Sequence, residues 1–83
     1  MTNLAQLARR TDAVIVAVDG ARSFRRRLME MGLVPGTPIR LIDVAPLGDP
    51  LEIEVRTSRL SIRKEEAAQI RVAPPKHPFP SQP

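Results

Sequence analysis

Apolar and polar positions divide this chain into segments of two periods. Leu51, Ile53 and Val55 alternate without error with Glu52, Glu54 and Arg56, which predicts a strand that buries one face and turns the other to water. Leu60-Ser61-Ile62-Arg63 alternates again after a short Thr57-Ser58 connection, so the two segments predict a hairpin. Ala13-Val14-Ile15-Val16-Ala17-Val18 is instead a continuous apolar run rich in β-branched residues, bounded by Thr11-Asp12 and Asp19-Gly20, and predicts a strand covered on both faces. Ile39 to Val44 and Gln69 to Val72 predict two more strands. Between the first strand and the second, Phe24, Leu28 and Met31 recur at i, i+4 and i+7, the spacing of one helical face, with Ser23 as the expected N-cap. Leu4 and Leu7 suit one helical turn at the amino end, and Lys64 to Ala68 has room for another. The expected fold class is therefore mainly β: a small, partly open barrel of about five strands with one short α-helix after the first.

The helix has to stop where Met31 gives way to Gly32-Leu33-Val34-Pro35-Gly36. Gly32 suits the residue just past a helix end, which takes a positive φ, and Pro35-Gly36 forbids continuation and favours a tight turn. Ala45-Pro46-Leu47-Gly48-Asp49-Pro50 is equally dense in turn formers and presents Leu47 at its tip. Gly32, Pro35, Gly36 and Gly48 are thus expected to serve the backbone. From Pro74 to Pro83 every second residue on average is proline, so the chain divides into one domain over 1–73 and a disordered proline-rich tail over 74–83.

A formal charge of +4 raises nucleic acid or an acidic surface as partners. Arg22, Arg25, Arg26 and Arg27 cluster on the helix, and the pattern alone fits either a solvated face or a binding patch. A basic first turn opposes the helix dipole, so packing or a partner has to hold this helix. Scarcity of rings, 2% of the residues, weakens stacking on nucleic acid and aromatic grooves for polyproline ligands.

Candidate chemistry is thin. There is no cysteine, and the one histidine, His77, lies in the tail, where no second shell would orient it. Glu52 with Glu54 and Glu65 with Glu66 suit solvated surface, and the glycines do not make a phosphate-binding loop. No catalytic residue, metal site or cofactor is expected. Neither a signal core nor an apolar run of roughly 18 residues is present, so the chain is expected to be soluble and unexported.

Three blocks in order, Arg27-Leu28-Met29-Glu30-Met31-Gly32-Leu33-Val34-Pro35-Gly36, Ala45-Pro46-Leu47-Gly48-Asp49-Pro50 and Leu60-Ser61-Ile62-Arg63-Lys64-Glu65-Glu66-Ala67, resemble the FeoA family, the small ferrous iron transport protein A. The resemblance spans Leu4 to Val72 and implies an SH3-like barrel without enzymatic activity of its own. It also implies a cytoplasmic accessory role in bacterial ferrous iron uptake, exerted by binding the cytoplasmic GTP-binding part of the FeoB-type membrane transporter and reaching the inner membrane only through that partner. Two departures stand out: the family's usual glycines near Arg10 and at the Thr57-Ser58 hairpin are replaced by residues with side chains.

Arg25, Arg26 and Met29 on the outer helix face, with Leu47 at the loop tip, are the expected partner-binding residues, because guanidinium groups pair with acids and an exposed apolar tip favours cover. The rival expectation is an SH3-like regulatory or nucleic-acid-binding module related to the carboxyl domain of iron-dependent repressors. It would bind nucleic acid with steep salt dependence, and the lack of aromatics and of a recognition helix speaks against it. The open edges of the barrel could also pair into a weak homo-oligomer.

Overall fold

Most strands and the main helix fall where the apolar periodicities place them. In the computed structural model, which describes residues 2–75, the elements are β1 (Thr2–Asn3), β2 (Thr11–Val18), α1 (Arg22–Glu30), β3 (Pro38–Val44), β4 (Leu51–Val55), β5 (Ser58–Ile62), α2 (Lys64–Ala67) and β6 (Ile70–Ala73). They form one six-stranded antiparallel sheet in the order β1-β6-β2-β3-β4-β5. No ladder joins the edge strands β1 and β5, so the barrel is partly open. The proline-rich tail expected from Pro74 onward lies, from Lys76, outside the described residues, and so does His77.

Burial follows the alternation in β4, where Leu51, Ile53 and Val55 enter the core and the two glutamates between them stay partly exposed. Ala13 and Ile15 of β2, Ile39 and Leu41 of β3, Ile62 of β5, and Ile70 and Val72 of β6 complete the sheet's share of that core. Leu4, Leu28, Leu33 and Ala67 close it from outside the sheet.

Several expectations need correction. The strand count is six, because Thr2 and Asn3 pair with Val72 and Arg71 before Leu4–Gln6 makes a 3-10 turn. Two residues carry no readable period; their strand exists only because β6 offers an edge. The β2 run is not covered on both faces: Ala13 and Ile15 are buried, whereas Val14, Val16 and Val18 remain half-buried. Helix α1 begins one residue before Ser23, with Ala21 in the cap position and no side-chain cap bond. Asp19, the nearest acid in sequence, is engaged by Arg71, whose Nε and Nη2 donate to its carboxylate at 2.9 and 3.1 Å. Met31 leaves the core face as well. It is the C-cap and is 40% exposed, and Leu33 fills the core in its stead. The β4–β5 turn is made by Arg56 and Thr57, since Val55 already pairs with Ser58.

Candidate functional site: a basic groove beside the first helix

The helix stop positions the site. Gly32, at φ +88°, donates to the Met29 carbonyl at 3.0 Å, and Leu33 N–H reaches back to the Leu28 carbonyl at 2.9 Å. This double bond pattern is a Schellman cap, which satisfies carbonyls the helix end leaves open. Pro35 and Gly36 then occupy the centre of a turn in which Thr37 N–H donates to the Val34 carbonyl at 3.0 Å, with Gly36 at φ +93°. Thr37 is buried, and its hydroxyl donates to the Gly32 carbonyl at 3.2 Å, binding the cap to the turn. Gly36 N–H donates to the Ile15 carbonyl at 2.7 Å and Ile15 N–H to the Thr37 carbonyl at 3.0 Å, which anchors the segment to β2. The chain from 32 to 37 is therefore held by hydrogen bonds at both ends.

Against this fixed segment α1 presents Arg22, Arg25, Arg26 and Met29, residues at i, i+3, i+4 and i+7. With Val18 from the end of β2 and Leu33, Val34 and Pro35 from the segment after the helix, they line a groove of about 330 Å³. Met29 is 58% exposed, and all three arginines are exposed. Among the described residues five ion pairs form, Arg9–Asp43, Arg27–Glu66, Arg40–Asp12, Arg59–Glu52 and Arg71–Asp19. Arg22, Arg25 and Arg26 belong to none of them.

Arg27 behaves differently from its two neighbours. Its guanidinium lies 5.6 Å from the Phe24 ring centre and donates to Glu66 of α2, so it ties the two helices together. At its other end α2 is tied to the loop after β3, where Lys64 N–H donates to Asp49 at 3.0 Å. Gly48 closes that loop by donating to the Ala45 carbonyl at 2.7 Å.

Arg25, Arg26 and Met29 are thus brought together, and Leu47 is not. Leu47 is 95% exposed and borders a separate cleft of about 500 Å³ with Asp49, Pro50, Ser61 and Arg63, which shares no lining residue with the groove beside α1. Sequence reasoning missed Arg22, Val18, Leu33, Val34 and Pro35 as groove residues. Arg22 was open to detection, because it begins the same i, i+3, i+4, i+7 series; the other four join it only through the fold.

Among the described residues no three His, Cys, Asp or Glu side chains gather in a way that would hold a metal ion. No helix among them is long and apolar enough to cross a membrane. What the fold and the site define is a small SH3-like β-barrel module whose most distinctive surface is a basic groove with an apolar lining. The family model for the FeoA domain matches residues 2–74, and the chain belongs to the FeoA family, whose members are involved in ferrous iron transport.

A curated relative, the Fe(2+) transport protein A/Fe(2+) transporter FeoB fusion protein of Porphyromonas gingivalis, is 42% identical over 69 residues. Those residues are 83% of this chain but only 8% of the length of the fusion protein. The solution structure of the FeoA protein from Chlorobium tepidum is 37% identical, with a TM-score of 0.81 over 86% of this chain and 68% of that one. The FeoA of Stenotrophomonas maltophilia, determined as a zinc complex and described as a procaryotic SH3 domain protein, is 31% identical, with a TM-score of 0.76 over 88% of this chain and 91% of that one.

Proposed function

We propose that this chain is a cytoplasmic accessory protein of ferrous iron uptake that binds a FeoB-type transporter through the transporter's cytoplasmic GTP-binding part and modulates it. The observation that carries this reading is the Porphyromonas relative, in which a transport protein A segment and a FeoB transporter share one polypeptide. Fusion keeps two modules at high effective concentration, a benefit only if they work together. The Stenotrophomonas relative, described as a candidate activating factor for ferrous iron transport, supports the same direction.

Arg25, Arg26 and Met29 form one part of the proposed contact and Leu47 the other. The two parts lie in separate depressions. Helix α2 lies between them, with Lys64 N–H donating to Asp49 of the loop and Glu66 accepting from Arg27 of α1.

Titration of the purified protein against the soluble cytoplasmic domain of a FeoB-type transporter tests the proposal. Arg25→Glu combined with Leu47→Ala is expected to weaken binding by roughly tenfold or more, as reversal of a rim charge and loss of an apolar anchor together would. Unchanged affinity in a variant with an unchanged circular dichroism spectrum would remove this surface from consideration.

A further inference from the structure

The groove beside α1 combines two features that ask for different things from whatever fills it. Its three arginines crowd one helical face: Arg22 and Arg26 stand four residues apart and Arg22 and Arg25 three apart, spacings at which like charges repel. Arg22 is also the first residue of the helix, where a positive charge opposes the dipole, and the first turn holds no acidic residue to offset it. None of the three is paired among the described residues, although Arg27 on the adjoining face is. The isolated protein leaves this electrostatic cost standing, and carboxylates supplied from outside would remove it.

The lining between those charges is apolar. Met29 is 58% exposed, Pro35 is exposed and Val34 is half-buried. A volume of about 330 Å³ lies at the small end of ligand sites, suited to one or two side chains rather than to a whole helix. Phosphate chains would satisfy the arginines but leave the apolar lining in water, and no aromatic ring among the described residues lines the groove for a base to stack on.

Resting on the reading that this face meets the transporter, we propose that the groove takes a short acidic protein segment that inserts one apolar side chain beside Met29 and Val34 while its carboxylates pair with Arg22, Arg25 and Arg26. Charge complementarity selects the acidic segment; the apolar lining selects the anchor. Arginine suits this work because its planar fork pairs with a carboxylate through two parallel hydrogen bonds.

The full chain is titrated with a dye-labelled peptide of alternating glutamate and leucine, followed by fluorescence polarisation. Parallel titrations use a peptide with glutamine for glutamate, one with alanine for leucine, and an oligothymidylate of matched charge. The glutamate–leucine peptide is expected to bind at least tenfold more tightly than each of the other three. Arg25→Glu with Arg26→Glu should weaken it tenfold or more. Met29→Gln should weaken it severalfold while leaving the alanine-bearing peptide unchanged, which a merely solvated face would not do. Arg22→Glu should lower affinity and raise the thermal midpoint at once, because the acid suits the helix start and offends the ligand.

Absence of binding, equal binding of the oligothymidylate or of the alanine-bearing peptide, or full affinity in the double arginine variant would each overturn the proposal. Competition with the transporter's cytoplasmic domain separates this inference from the broader one. If the domain binds and the peptide does not displace it, the groove assignment falls and the partnership stands. If the peptide binds with the expected selectivity and the domain does not bind, the groove stands and the partnership falls.

Discussion

Arg10 and Arg56 take positive φ, 60° and 58°, at the two turns where the resemblance to the FeoA family leads one to expect glycine. A side chain in the left-handed region costs about 1 kcal/mol or more, because Cβ crowds the neighbouring carbonyl. Both turns keep their geometry because the ladders on either side demand it: Arg10 N–H donates to the Leu41 carbonyl at 2.6 Å, and Val55 pairs directly with Ser58 across Arg56. Arg56→Gly is therefore expected to raise stability by up to about 1 kcal/mol, the relief of strain being partly offset by the greater freedom of glycine in the unfolded chain. Urea denaturation of the variant beside Arg56→Ala checks this, since alanine relieves no strain; a glycine variant no more stable than the alanine one would count against it. The two departures were visible in the sequence as missing glycines. That the turns nevertheless keep a left-handed backbone residue was not, because only the register of the flanking strands imposes it.

At the scale of elements, α1 is held by what it packs against rather than by its own sequence. Its first turn lacks both a side-chain cap and an acid, yet Leu28 is 1% exposed and Arg27 bonds across to α2. Leu28→Ala should cost roughly 2–5 kcal/mol, the range for a buried leucine whose cavity collapses only in part. Met31→Ala, at a residue that the apolar spacing places on the same face but that is 40% exposed, should cost well under 1 kcal/mol. Thermal unfolding of the pair discriminates, and comparable losses would restore Met31 to the core. The spacing misleads here because the Schellman cap turns the chain at Gly32, one residue after Met31, and delivers Leu33 to the position a longer helix would have given Met31. The stop signal itself was legible in Gly32, Pro35 and Gly36, since cap and turn chemistry is local.

Across the whole molecule the sheet runs from β1 to β5 without closing, and stability should grade along it. Strands β2, β3, β4 and β6 each have neighbours on both sides, whereas β1 and β5 have one. Native-state hydrogen exchange should accordingly show the slowest amides in the central strands β2 and β3 and the fastest strand amides in β1 and β5. Protection of β5 equal to that of β3 would point to a second chain covering that edge, the self-association its exposure invites.

What the sequence determined by itself is whatever depends on a few consecutive residues: the alternation of Leu51, Ile53 and Val55, the helix stop at Gly32, the turns at Pro35-Gly36 and Gly48, and the blocks that carry the family resemblance. What tertiary structure alone decided depends on residues far apart in the chain. Thr2 and Asn3 became a strand by pairing with Val72 and Arg71. Among neighbouring arginines of one run, Arg27 was taken up by Glu66, 39 residues away, while Arg25 and Arg26 were left facing a groove. That groove exists because β2 ends at Val18 beside the capped turn that returns Val34 and Pro35 to the same helix face. Short-range torsional and capping preferences act within a turn or two of chain, so they are written locally; which charges find partners is settled only when distant strands close on one another.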